Sequence, residues 1–152
     1  MHRCLRCQKT VGPVVCPLCH HKTAKITRTM LPVVERFYST GYRSVSAAES
    51  LIMTHVDPET MEAVDILYVK VEFSRLYPPE VFPHLPQGFE YWSDKHGKSD
   101  ICGVTLQDVF PVEDSVLSKE ALSGVVAELH SWIIRMDESE IPRVYSLAGL
   151  IG

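Results

Sequence analysis

Four of the chain's five cysteines fall in the stretch "CLRCQKTVGPVVCPLC" at positions 4–19. Cys4 and Cys7 make one Cys-x-x-Cys pair and Cys16 and Cys19 the other, with Gly12-Pro13 between them as a turn signal. Thiols this close have two uses, disulfides or the ligands of one metal ion. The basic opening "MHRCLRCQKT" is followed by no apolar run, so no secretory leader is expected, and a reducing cytoplasmic setting disfavours disulfides. A Cys-x-x-Cys turn places both sulfurs on one side of a tight knuckle. Two knuckles complete a tetrahedron around Zn2+ at Zn–S distances near ~2.3 Å. One structural zinc ion on Cys4, Cys7, Cys16 and Cys19 is therefore expected. His2, His20 and His21 lie near enough in sequence to compete as ligands, and their simpler reading is solvent exposure.

The stretch resembles the small zinc-ribbon modules at the ends of many bacterial and phage proteins. The resemblance rests on "CLRC", a short hairpin and "CPLC", and it covers about residues 1–24. It implies two knuckles on a short β-hairpin, with the four cysteines as ligands. Such modules often carry Gly after the second Cys of each pair, where the backbone turns sharply; this chain has Gln8 and His20 there.

Charge is unevenly placed. The chain carries a net −4, yet residues 1–34 contain Arg3, Arg6, Lys9, Lys22, Lys25 and Arg28 and no acid. The first acid is Glu35, and the remaining nine bases and nineteen acids leave the rest at −10. Four thiolates and one divalent cation would still leave the N-terminal module basic, and such a module folds only with its metal. A basic arm on an acidic body is the pattern expected.

These residues need a scaffold. A chain of 152 residues with 45% hydrophobic and 22% charged residues has enough apolar side chains for a core, and no run approaches the ~20 apolar residues of a membrane-spanning helix. Residues 25–30 read as a polar linker. Residues 31–40 read as a helix with Pro32 in its first turn, Val33/Phe37 and Val34/Tyr38 at four-residue spacing, and Gly41 as its end. The helix and its "GYR" exit resemble small uncharacterised phage and bacterial proteins, with no site residue carried across.

Residues 44–54 and 63–75 read as two strands around the Asp57-Pro58 turn. In the second, Leu67, Val69, Val71 and Phe73 alternate with Tyr68, Lys70, Glu72 and Ser74. Residues 89–92 and 100–107 read as a second hairpin. From Ser118 as N-cap, Leu122, Val125, Val126, Leu129, Ile133 and Met136 make one helical stripe, ended by Pro142, with a short helix after it. The expected organisation is a zinc ribbon (1–24), a linker (25–30) and an α+β domain (31–152). In that domain, helices pack on one face of an antiparallel sheet of about four strands.

The body offers little obvious chemistry. Cys102 is in phase with Val104 and Leu106 on a strand and reads as a buried, inert thiol. His130 reads as a boundary residue. His55, Asp57 and Glu59 share a turn without forming a nucleophile–base pair. "DKHGKSD" lacks the glycine spacing and following helix of a phosphate loop. Trp92 and Trp132 read as core or interface anchors. "YPPEVFPHLP" reads as an ordered loop packed on the sheet, or else a rigid partner-binding lip.

The function these features favour is non-enzymatic. The basic ribbon would contact nucleic acid or a nucleic-acid-handling complex through Arg3, Arg6, Lys9, Lys22, Lys25 and Arg28, in a regulatory role. A second reading makes the ribbon a structural cap on a protein-binding inhibitor or adaptor. A third is an enzyme with its site between the sheet and the proline-rich loop, which requires His55, His84, His96 and Asp57 to converge.

Overall fold

In the computed structural model, which describes residues 1–94, 100–111 and 115–152, the chain opens with three short strands, β1 (His2–Cys4), β2 (Lys9–Val11) and β3 (Ala24–Ile26). A 3-10 turn (Arg28–Met30) leads into α1 (Leu31–Thr40) and then the long hairpin β4 (Val45–Val56) and β5 (Ala63–Phe73). After a proline-rich segment come β6 (Glu90–Asp94), β7 (Ile101–Pro111), α2 (Ser115–Asp137) and α3 (Ile141–Leu147).

The expected α+β class holds, but the sheet is larger than about four strands. Seven described strands form one sheet in the order β2-β1-β3-β4-β5-β7-β6. It is mixed rather than antiparallel, because β3 pairs parallel with β4 while the other neighbours run antiparallel. The strands β1, β2 and β3 of the cysteine-containing segment are thus hydrogen-bonded into the same sheet as the body. Residues 25–30, expected as a linker, supply the end of β3 and the 3-10 turn.

Period-two patterning becomes a two-faced sheet. Ala48, Ser50, Leu67, Val69, Val71, Cys102, Val104 and Leu106 are buried on the face that receives the helices. From β4 to β7 the opposite face carries Glu49, Leu51, Tyr68, Lys70, Thr105 and Gln107, none of them buried.

The helix α1 forms where Pro32 sets its first turn, and Gly41 stops it. Gly41 takes φ +119°, its N–H donates to Tyr38 O (3.2 Å), and the Tyr42 N–H donates to Phe37 O (2.9 Å). That pair of bonds is a Schellman motif, and its usual apolar contact is present: the Phe37 and Tyr42 rings meet edge-on at 5.4 Å. In α2, Leu129, Ile133 and Met136 of the expected stripe are buried, joined by Trp132. The helix begins at Ser115 rather than after a Ser118 cap, so Ser118 is a buried residue inside it. Nothing in residues 115–121 breaks a helix, which is why the start moves forward. No described helix is long and apolar enough to cross a membrane.

The proline-rich segment is ordered by side-chain donors. Prolines remove N–H groups but leave carbonyls that need partners. Tyr91 Oη donates to Tyr77 O (2.6 Å), Tyr145 Oη to Glu80 O (2.8 Å) and Trp132 Nε1 to Pro83 O (2.9 Å). Tyr42 Oη also donates to Val81 O. Four aromatic residues, from β6, α2, α3 and the α1–β4 connection, thus hold this segment against the body. It is a packed loop, and Trp132 is one of its anchors.

Candidate metal centre

Each Cys-x-x-Cys pair forms a knuckle. Cys4 ends β1, the chain turns, and the Cys7 N–H points back at Cys4 Sγ (3.4 Å) before β2 starts at Lys9. In the second pair the His20 N–H donates to Cys16 O (2.9 Å) and the Cys16 N–H to His21 O (2.9 Å), and a bridge between Val15 and Lys22 closes the loop. The four cysteine sulfurs all lie within 4.8 Å of one another, with Cys4 and Cys19 Sγ 3.5 Å apart. Four sulfurs at ~2.3 Å from one tetrahedral ion would stand about 3.8 Å apart. These four side chains are therefore positioned to hold a single metal ion. A disulfide needs sulfurs near ~2.05 Å, and all five cysteines are free thiols.

The thiols are unequal. Amides of Cys19 and Leu18 directed at Cys16 hold its thiol down at about 7. The hydrogen bond with Cys19, together with burial, pushes Cys7 up to about 12, and burial raises Cys4. Without a cation, Cys16 carries charge readily while Cys4 and Cys7 resist it. A divalent ion removes that conflict. Four sulfurs around one ion would complete a tetrahedron with no position left for substrate, the arrangement typical of structural sites.

The histidines stand outside the sulfur cluster. His21 Nδ1 contacts Cys19 O (2.9 Å) and its Nε2 faces the Arg6 guanidinium (3.0 Å). His2 Nδ1 pairs with Thr23 Oγ1 (3.3 Å), and His20 is exposed.

Gln8 and His20, the two positions where zinc ribbons often have Gly, adopt φ +56° and +60°. The left-handed region costs an ordinary L-residue roughly 1–2 kcal/mol, and the greater chain entropy of Gly offsets about 0.5–1 of that. Gln8→Gly and His20→Gly are each expected to stabilise the metal-loaded protein by about 0.5–1 kcal/mol. Urea melts at fixed zinc would read the gain, and an unchanged or lower midpoint would contradict it.

The six basic residues do not share one environment. Arg3 is engaged: its Nη2 meets Glu35 Oε1 at 2.8 Å, its Nη1 meets Thr10 Oγ1 at 3.4 Å, and only 17% of its side chain is exposed. It ties β1 to α1 and has little left for a partner. Arg6, Lys9, Lys22, Lys25 and Arg28 are exposed. The sequence carried no sign of the Arg3–Glu35 pair, because it depends on α1 docking beneath β1.

Elsewhere, the Cys102 thiol is buried, accepts the Tyr77 N–H (3.4 Å) and donates to Arg75 O (3.2 Å), and burial raises its pKa. It is buried, as expected. His130 is half-buried on α2. His55 is exposed near the end of β4 and Asp57 and Glu59 are exposed on the turn that follows, whereas His84 lies in a hollow with Trp132 and Met136. The β4–β5 turn precedes β5 and the proline-rich segment follows it, so the strand's length separates them. His96 and most of the "DKHGKSD" connection lie outside the described residues. Trp92 is half-buried on β6. Comparison of the chain with protein-family models, curated proteins and solved structures returns no match.

Proposed function

We propose that the chain is a zinc-stabilised binding protein whose cysteine-bearing end contacts the phosphate backbone of nucleic acid. One observation carries the reading. Arg6, Lys9, Lys22, Lys25 and Arg28 all remain exposed in the N-terminal segment that holds the four cysteines and leads out of it, no acid precedes Glu35, and Glu35 is occupied by Arg3. Zinc suits the site because its sulfur donors are soft, its tetrahedron is closed, and the ion brings no redox chemistry. The bound ion offsets part of the thiolate charge, so the end of the molecule stays positive.

Fluorescence anisotropy with labelled single-stranded DNA, single-stranded RNA and duplex DNA, across a salt series, tests this. Five phosphate contacts on a single strand give log K against log[salt] a slope of about −3.5. The double variant Lys22→Glu/Lys25→Glu is expected to bind at least about tenfold more weakly at low salt and to bring the slope nearer −2. No binding of any of the three at low salt would overturn the reading. That outcome would favour the second reading, an adaptor or inhibitor with a purely structural metal. The union of β1, β2 and β3 with the body's sheet, and the Arg3–Glu35 tie, support that alternative.

A further inference from the structure

The uncovered face of the sheet carries a groove that the cysteine centre does not use. Cross-strand register lays this face out in rows. Lys25, Ala47, Glu72, Gly103 and Trp92 form one row across β3, β4, β5, β7 and β6. Glu49, Lys70, Thr105 and Glu90 form the next, followed by Leu51, Tyr68 and Gln107. Tyr68, Lys70, Glu90, Trp92, Thr105 and Gln107 line a cavity of about 500 Å³ over the last two rows and the end of the first.

Gly103 shapes its floor. A Cβ there would stand 2.6 Å from Trp92 Cζ2 and 2.6 Å from the Val71 carbonyl oxygen, so the indole lies against bare backbone. Lys70 Nζ sits 5.9 Å from the indole centroid and 3.1 Å from Glu72 Oε2.

The chemistry of this lining selects a class of ligand. Lys70 is already paired, and the carboxylates of Glu49 and Glu90 flank it, so the groove does not recruit phosphate. An indole and a phenol on an open sheet offer stacking surfaces for flat rings. The Thr105 hydroxyl, Gln107 amide and Glu90 carboxylate can meet the N–H and C=O groups on a base edge. Phosphates have partners further along the same face, where pairing parity places His2, Lys9 and Lys25. Lys25 and Trp92 are four strand spacings apart, about 19 Å, the span of a few nucleotides.

We propose that the groove is a base-stacking subsite for single-stranded nucleic acid, with Trp92 and Tyr68 as platforms and the lysines of the cysteine-bearing end holding the backbone. This rests on the nucleic-acid reading above and adds which part of the strand is read, and by which residues.

The probes are a twelve-residue oligo-dT, the same length of oligo-U, and an abasic twelve-mer that keeps the phosphates and lacks the bases. Base stacking on one aromatic side chain is worth roughly 5- to 150-fold in affinity. The intact, zinc-loaded chain is expected to bind both base-bearing oligomers at least about tenfold more tightly than the abasic one. Trp92→Ala and Tyr68→Ala should each remove most of that difference, leave abasic binding unchanged and keep one zinc per chain, while Trp92→Phe should retain most of it. Unaltered oligo-dT and oligo-U binding in both alanine variants, with loss in Lys22→Glu/Lys25→Glu, would overturn the subsite and leave the backbone reading standing. No binding of any probe by the intact chain would overturn both.

Discussion

Cys16→Ser is expected to reduce zinc from one ion per chain to nearly none and to unfold the knuckles with it. The argument begins with the four sulfurs, all within 4.8 Å of one another. Their strands are too short to hold that arrangement unaided: β1 and β2 share three residue pairs, and β1 and β3 only two. Metal binding by such modules contributes on the order of 10–16 kcal/mol of apparent free energy at neutral pH, which is folding free energy for the segment. Cys16 is wholly buried and its sulfur receives the amides of Leu18 and Cys19, so a hydroxyl there loses both the ion and the charge those amides stabilise. The loss extends into the body, since Leu5, Ala24 and Ile26 belong to the buried core and the Met1 ammonium donates to Ile26 O (2.9 Å). Elemental analysis and chelator-monitored melting would read the effect. Cys102→Ser should keep its zinc, and retention of zinc by Cys16→Ser would refute the ligand assignment.

Phe37→Ala should destabilise the whole chain by about 3–5 kcal/mol, the range for truncating a large buried aromatic. Phe37 is fully buried and its ring meets three others, Tyr42 at 5.4 Å, Phe73 at 5.5 Å and Trp132 at 6.0 Å. It therefore joins the end of α1, the central strand β5 and α2, and a cavity there has no single neighbour able to fill it. Phe37→Leu should cost markedly less, because most of the volume remains. Denaturant melts at fixed zinc concentration would measure both, and a loss below about 1 kcal/mol for the alanine variant would contradict this packing.

The sequence announced some of these features more clearly than others. Alternation from Leu67 to Phe73 marks β5 because burial on one face and solvent on the other repeats every second residue. Pro32 and Gly41 bracket α1 through backbone chemistry that no other residue supplies as readily. That the four cysteines would gather into one cluster able to hold a metal was legible from type and spacing alone. The union of knuckles and body was not: strands of three residues have no period to detect, and β3 meets β4 only after α1 has turned the chain back. Nor could apolar patterning decide that β7, rather than β6, lies beside β5, since both hairpin strands carry similar residues. The groove was hidden for another reason. Tyr68, Trp92 and Gly103 are far apart in sequence, and only cross-strand register brings them onto one face.

The outermost strand β2 is three residues long and begins with Lys9, a poor template for another chain. Behind it, β3 covers β4 only at Ala47 and Ala48, and from Leu51 to Val56 no described strand flanks β4 on that side. Loss of a metal from the sulfur cluster would loosen β1, β2 and β3 and extend the open margin of β4 from Leu51–Val56 towards all 12 of its residues, "VSAAESLIMTHV". Such a margin invites edge-to-edge polymerisation of like chains. An ion held by the four sulfurs would thus also guard against self-assembly, and metal starvation is expected to lower the solubility of this protein as well as alter its shape.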